Sequence, residues 1–189
     1  MVFEPTTLPG AVLVTQQPHA DERGQFARVY CEREFARQGL PARMVQANVS
    51  QTARAGTLRG MHYQAAPHEE DKLVQCMRGA IWDAIVDVRP GSPTRGRWYG
   101  VELTASNGRM LLVPKGFAHG FVTLSDDVLV SYLMSEVHVP SAARGARHDD
   151  PAFGIAWPVP VRLVSEADRA WPDFDVDRPV PPPPARETP

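Results

Sequence analysis

The sequence is poor in cysteine, in excess charge and in long apolar runs. Its two cysteines, Cys31 and Cys76, are far apart and lack the spacing of a metal site, so we expect reduced thiols. The net charge of −2 offers no basic surplus for nucleic acid. No apolar run reaches the length of a membrane span, and the first ten residues lack the basic and apolar regions of a signal peptide. We therefore expect a cytoplasmic protein that binds neither nucleic acid nor membranes.

Short apolar segments separated by turn signals fill most of the chain. A length of 189 residues with 43% hydrophobic residues suits one domain with a real core. Many short strands, broken roughly every ten residues by turns such as "DERG", "RPGSP" and "SNG", favour an all-β sandwich or barrel. One short helix is predicted at Glu32–Gln38. The predicted strands are 11–15, 26–30, 44–50, 57–64, 72–77, 80–88, 98–104, 109–113, 118–124 and 128–134.

The C-terminal part is predicted to be less regular. We place one domain at 1–172 and a Pro-rich tail at 173–189, which cannot pair in a sheet and is predicted to be disordered or extended. Between Val139 and Asp168 we expect loop with a few turns. The stretch "DDPAFGIAWP" is predicted to be ordered because it carries apolar and aromatic side chains to bury, namely Phe153, Ile155 and Trp157.

Several polar residues interrupt the predicted strands. Asp83 and Asp87 share a strand face with isoleucines; we expect Asp87, beside a turn, on a partly solvated face, whereas Asp83 is as consistent with a site as with a structural role. Taken alone, Lys72 resembles a solvated strand end, and Tyr132 resembles a core residue.

Arg59 and His62 are three residues apart in "TLRGMHYQ". Strict alternation along a strand would place them on opposite faces of the sheet. Gly60 between them suits a bulge that re-aims one of the two side chains. Whether His62 is a structural residue, a metal ligand or a base is open from this segment alone.

The stretch "GRMLLVPKGFAH" is similar to the second cupin motif, G-x5-P-x-G-x2-H, and includes His119. In the first motif Gly56 and His62 fit, but Gln64 stands where a second histidine is expected and Lys72 where a glutamate is expected. A divalent metal needs neutral imidazoles and a carboxylate, whereas a lysine repels a cation and stabilises an anion. We therefore expect no metal and no other cofactor.

Six segments in order resemble the dTDP-4-dehydrorhamnose 3,5-epimerase family. They are "DERGQF", "TLRGMHYQ", "KLVQCMRGAIWDAIVDVRPGSPT", "WYGVELTASNGRMLLVPKGFAHGFVTLSDD", "HDDPAFGIAWP" and "VSEAD", and the likeness runs from about Asp21 to Pro172. The resemblance implies a metal-free, dimeric, cupin-type jelly-roll β-barrel with short peripheral helices. It also implies a nucleotide-linked 4-keto-6-deoxyhexose as substrate and epimerisation at C-3, C-5 or both.

By this resemblance His62 is the base, and Asp168 partners its far ring nitrogen and fixes the tautomer. Lys72 matches the position that stabilises the enolate oxygen at C-4. Tyr132 matches the acid on the opposite face of the sugar.

Further positions are implied to bind the substrate. Arg59 and Arg23 match diphosphate-binding positions, and the residue at the Arg23 position reaches across the dimer in the family. The resemblance also implies binding roles for Gln46, Asn48, His119 and His138. Asp83 is a further candidate binding residue because of its position in the middle of a strand.

The sequence departs from the family pattern at three positions. His138 replaces a second tyrosine, Leu133 replaces a frequent lysine, and Ala47 stands where an aspartate is common. These departures leave the nucleotide open between dTDP, CDP and GDP, and leave open which carbon is epimerised. The alternatives are a 3,4-ketoisomerase, a metal-dependent cupin enzyme and a non-catalytic binder of sugar nucleotides.

Overall fold

The computed structural model describes residues 1–175 and 177, which form antiparallel strands with two short helices. None of the helices described has the length and hydropathy needed to cross a bilayer. The strands are β1 (Val2–Pro5), β2 (Val12–Thr15), β3 (His19–Asp21), β4 (Gly24–Phe26), β5 (Gln46–Thr52), β6 (Leu58–Gln64), β7 (Lys72–Arg78), β8 (Ala80–Asp87), β9 (Trp98–Thr104), β10 (Arg109–Val113), β11 (Phe117–Thr123), β12 (Val128–Met134) and β13 (Ala143–Gly145). The helices are α1 (Glu32–Arg37) and α2 (Glu166–Arg169), with a 3-10 turn at Pro140–Ala142.

Two sheets face each other across the main core. One has six strands in the order β1-β2-β10-β7-β12-β5, and the other has five in the order β13-β6-β11-β8-β9. Strands β3 and β4 form a separate hairpin. Alternate side chains of both sheets point inward and form an apolar layer that includes Val74, Ile85, Leu111, Phe121 and Val130. This is the predicted all-β jelly roll with short peripheral helices.

Peripheral segments cover part of the outer face of each sheet. Phe35 of α1 is fully buried against residues of β2, β7 and β10 on the outside of the six-stranded sheet. Phe153 is buried on the outside of the other sheet, with Ile155 and Trp157 packed beside it, so the predicted order of this segment is confirmed. Phe174 adds an aromatic contact, 4.9 Å from Phe153 between ring centroids. Most of the predicted tail at 173–189 lies outside the described residues.

The structure differs from the predicted strands mainly near the N-terminus. The sequence predicts a strand at 26–30, but β4 ends at Phe26 and pairs with the three-residue β3. Strands β1, β3 and β13 were not predicted, since each has three or four residues and shows no apolar alternation. The region 139–168, expected to be loop, contains β13 and most of α2.

Asp87 is completely buried, so the expectation of a partly solvated face is wrong. The following turn folds back over its carboxylate, which accepts hydrogen bonds from the Arg89 guanidinium and from the hydroxyls of Ser92 and Thr94. Burial alone would raise the pKa of Asp87, but these donors outweigh burial and hold the pKa below its ordinary value.

Asp87→Asn is expected to make the free energy of unfolding depend less on pH in the acidic range. The pKa of Asp87 is lower in the folded protein than in the unfolded chain, where it is about 4. Ionised Asp87 therefore stabilises the folded state above about pH 4, and this stabilisation is lost as the pH falls through the pKa of the folded state. Urea unfolding should show the variant less stable at pH 7 by about 1–3 kcal/mol, with the gap closing toward pH 3. The exposed Glu22→Gln serves as control. Parallel profiles for Asp87→Asn and the native protein would contradict this account.

Candidate active site

A cavity of about 580 Å³ lies between the two sheets. Strands β5, β7 and β12 supply its wall from the six-stranded sheet, and β6 and β11 supply the facing wall. Strand β13 and helix α2 complete the lining. The predicted site residues that line the cavity are Gln46, Asn48, Arg59, His62, Lys72, His119, Tyr132, His138 and Asp168.

A bulge in β6 brings Arg59 and His62 to the same side. Across the β6–β11 ladder His62 pairs with His119 and Arg59 pairs with Phe121, so three steps on β6 match two on β11. The bulge contains Gly60, whose φ is +132° and where a Cβ atom would lie 2.5 Å from the Cα atom of Gly120. A glycine is therefore required for Arg59 and His62 to share one cavity.

His62 is bonded to Asp168 across 106 positions of sequence. Its Nε2 atom lies 2.6 Å from Asp168 Oδ1. The carboxylate sits on α2, and the Ser165 side chain caps that helix by accepting the backbone N–H of Asp168. A carboxylate at Nε2 favours the tautomer that is protonated there, which leaves the Nδ1 lone pair free to accept a proton.

Asp168 is held in its ionised form. Burial would raise the pKa of its carboxyl, but the hydrogen bond from His62 and a weaker one from the Gly60 backbone N–H outweigh burial, so the pKa lies below its ordinary value. The same contact to Gly60 ties α2 to the β6 bulge. The half-exposed imidazole of His62 thus meets the cavity with a fixed, anionic partner behind it.

Tyr132 reaches the cavity from the opposite sheet. It lies on β12, paired with β5 and β7, whereas His62 lies on β6. Burial raises the pKa of the Tyr132 phenol above its ordinary value, and the positive charge of Arg59 opposes this rise only in part. Tyr132 is therefore a neutral phenol at neutral pH and can donate a proton.

Lys72 is buried rather than solvated, because it begins β7 inside the cavity. Its Nζ atom lies 2.6 Å from Oε1 of Glu70 and 3.3 Å from the backbone oxygen of His62. The lysine ammonium is thus placed beside the histidine with a carboxylate of its own. This arrangement suits the stabilisation of a negatively charged oxygen in the cavity.

Gln64 occupies the position of a cupin histidine but is committed to the backbone. Its Nε2 donates to the oxygens of His68 and Val137, and its Oε1 accepts the N–H of Val139. Residues 1–175 and 177 contain no cluster of three or more His, Cys, Asp or Glu arranged to hold a metal. The residues at the cupin ligand positions therefore do not fit a metal centre.

His119 forms a second histidine–aspartate pair. Its Nε2 atom lies 2.7 Å from Asp83 Oδ1. Asp83 is completely buried behind His119 and is not among the residues that line the cavity.

The remaining predicted binding residues form a polar group at the β5 side. The Arg59 guanidinium donates to the Thr52 hydroxyl and to the Gln51 backbone oxygen. Gln46 donates to the Asn48 side chain and accepts the backbone N–H of His138. These bonds fix the side chains at the cavity wall.

Arg23 is not in the cavity of its own chain. Its side chain is 84% exposed and pairs with Asp21 in the β3–β4 hairpin.

Several lining residues were not predicted, among them the charged or aromatic Glu70, Arg144 and Trp171. Glu70 could have been suspected from the acidic run directly before Lys72, but adjacent sequence does not show which carboxylate turns inward. Arg144 and Trp171 lie in and after the region expected to be loop, where no periodicity indicates a facing side. The site is thus larger than the motifs suggest.

Comparisons with known proteins agree with this geometry. Residues 5–175 match the family model described as dTDP-4-dehydrorhamnose 3,5-epimerase. An enzyme of that name from Sinorhizobium fredii is 42% identical over 175 residues, which cover 92% of this chain and 90% of the relative. A dTDP-4-dehydrorhamnose 3-epimerase from Streptomyces niveus is 37% identical, with 89% and 82% covered.

A crystal structure of a relative also matches this chain in fold and sequence. The dTDP-4-dehydrorhamnose 3,5-epimerase from Bacillus anthracis, with TDP and PPi bound, superposes with a TM-score of 0.88 at 40% identity. The match covers 92% of this chain and 99% of that one.

Metal removal is expected to leave the protein unchanged, because Gln64 is bonded to the backbone and Lys72 adds positive charge where a cation would sit. Elemental analysis of the purified protein should show no stoichiometric iron, manganese or zinc. Dialysis against EDTA should shift neither the thermal midpoint nor turnover. A stoichiometric metal whose removal lowers the midpoint would favour the metal-dependent cupin alternative.

Proposed function

Because this chain belongs to the dTDP-4-dehydrorhamnose 3,5-epimerase family, we propose that it epimerises a dTDP-linked 4-keto-6-deoxyhexose at C-3 and C-5 without a cofactor. The observation that supports this most is the convergence of one histidine–aspartate pair, one buried lysine and one partly buried tyrosine on a single cavity. The chemistry needs a base, a stabilised oxyanion and an acid, and these groups supply all three.

The first step is removal of a proton from a carbon beside the ketone. Nδ1 of His62 takes the proton, the C–H electron pair forms a C=C bond, and the C=O pair moves onto the C-4 oxygen. The imidazolium is stabilised by the ionised Asp168, and the enolate oxygen by the Lys72 ammonium.

The second step returns a proton to the opposite face. The phenol of Tyr132 donates its proton to the carbon, the enolate collapses to the ketone, and the configuration is inverted. His62 then loses its proton to solvent and the tyrosinate regains one, so the enzyme returns to its starting state. Because the two groups belong to different sheets, they can act on opposite faces of a sugar between them.

The nucleotide half of the substrate fits the β5 side of the cavity. Arg59 offers a guanidinium for the diphosphate, and Gln46, Asn48 and His138 offer polar contacts beyond it. The choice of dTDP over CDP or GDP is supported by the names of the relatives reported above.

A homodimer in the cytoplasm is the assembly that we propose. Two apolar side chains are strongly exposed, Phe26 at 71% on the hairpin and Val49 at 70% on β5, which is an edge strand of its sheet. A second copy would cover them and bring Arg23 from the hairpin to its neighbour's cavity. Arg23 would then help to bind the diphosphate of the substrate in the other subunit.

Deuterium exchange tests the reaction directly. In heavy water without added metal, dTDP-4-keto-6-deoxyglucose should acquire deuterium at C-3 and C-5, read by NMR, and more rapidly than its CDP and GDP counterparts. Movement of the carbonyl instead would indicate a 3,4-ketoisomerase. The absence of exchange with all three sugar nucleotides would favour the alternative of a non-catalytic binding protein.

Two variants assign the base and the acid. His62→Ala should lower exchange by about 10²–10⁴-fold, since it removes the general base. Tyr132→Phe should retain exchange within roughly tenfold but lose epimerisation by on the order of 10²-fold. Full epimerisation by Tyr132→Phe would show that another group returns the proton.

Mixing two inactive variants tests the role of Arg23. A dimer of one Arg23→Ala and one His62→Ala subunit has one site with both its own His62 and its neighbour's Arg23. Refolding an equal mixture should therefore restore about a quarter of the native activity, if subunits associate at random.

The cis arrangement predicts a different result. If Arg23 acted within its own chain, every site would lack either Arg23 or His62, and mixing would restore nothing. Size-exclusion chromatography of each variant alone establishes that both remain dimers.

A further inference from the structure

Glu70 is a buried carboxylate in the cavity wall that the proposed reaction does not use. Its side chain is only 3% exposed, and that of Lys72 is 10% exposed. Oε1 lies 2.6 Å from Lys72 Nζ. Oε2 is buried and has no hydrogen-bond partner among the described residues. The ammonium of Lys72 is thus the polar group that the structure places against this carboxylate.

The bonds of Lys72 leave one N–H direction open. An ammonium has three N–H donors in a tetrahedral arrangement. One is directed to Glu70 Oε1 and a second to the backbone oxygen of His62. When two of the three are fixed, the third has one remaining direction. A lysine held only by its flexible four-carbon side chain would have no such restriction.

Stability does not explain the pair. Bringing two charges out of water costs several kcal/mol per ion, and an apolar pair of similar volume is often equally stable or more stable. A pair with these costs beside the candidate base is explained by a functional requirement.

We infer that Glu70 is a positioning residue that fixes the Lys72 ammonium so that its free N–H points at the C-4 oxygen of the substrate. This inference rests on the proposed function. It implies that Glu70 acts on the enolate only through Lys72 and contributes little to substrate binding.

Kinetics of five variants test the inference. Glu70→Leu should lower kcat on the order of 100-fold with KM within about threefold, because the oxyanion forms only on the reaction path. Glu70→Gln should lie between Glu70→Leu and the native protein, since an amide oxygen still accepts the ammonium N–H. Glu69→Gln, the neighbouring and more exposed carboxylate, should match the native protein.

The decisive comparison is made in a Lys72→Met background. There Glu70→Leu should cost no more than about threefold in kcat, because the group on which Glu70 acts is gone. An equal loss in both backgrounds would show that Glu70 acts independently of Lys72 and would overturn the inference. So would a Glu70→Leu variant with unchanged kcat. Glu70→Leu alone leaves the buried Lys72 ammonium without its carboxylate and can therefore fold poorly. The double variant contains neither charge, so its kcat can still be compared with that of Lys72→Met.

A second measurement does not depend on turnover. The chain contains two lysines, Lys72 and the exposed Lys115, so side-chain ¹⁵N signals are easily assigned. The native protein should show a restrained Lys72 ammonium with slow water exchange and a mobile Lys115. Glu70→Leu should release Lys72, and Glu70→Gln should release it partly. A mobile Lys72 in the native protein would overturn the inference, whereas a restrained Lys72 in a protein without epimerase activity would contradict the proposed function alone.

Discussion

The bulge at Gly60 is the constraint on which the site depends. A regular β6 would turn Arg59 and His62 to opposite faces of the sheet, and only one of them could reach the cavity. The close approach of Gly60 to Gly120 on β11 leaves no room for a side chain, so the bulge is built from two glycines in contact. Asp168 accepts the Gly60 N–H as well as the His62 ring N–H, and this joins the bulge, the imidazole and helix α2 into one unit.

The cavity illustrates how a metal-binding scaffold can serve chemistry that develops negative charge. Two of the positions where a cupin holds its metal are occupied here by Gln64, which fastens a neighbouring loop, and by Lys72, which places a cation at the site. A fixed ammonium and a metal ion can both stabilise an enolate oxygen, because each provides a positive charge that is in place before the reaction. The ammonium needs its own orientation, and Glu70 and the His62 carbonyl provide it.

Local patterns predicted the regular strands well. Strands β7 to β12 were each predicted within one residue at either end, because apolar alternation and glycine- or proline-containing turns mark both strands and boundaries. The short strands β1, β3 and β13 were not predicted, since their formation depends on a partner strand rather than on their own composition. The burial of Asp87 was not predicted either, because it also depends on contacts with another segment. Its donors come from a turn whose path over the strand is not encoded in alternation.

The sequence by itself determined the fold class, the positions of the longer strands and the residue types available for proton transfer, because these follow from periodicity and from motif spacing. The family resemblance implied that Asp168 partners His62, but only the tertiary structure decided how these groups come together. His62 contacts Asp168 across 106 positions, Glu70 rather than its acidic neighbours pairs with Lys72, and Arg23 lies outside its own cavity. Such contacts depend on strand register, on one bulge and on the return of a distant helix. Those features arise from the packing of the whole chain, to which no local segment has access.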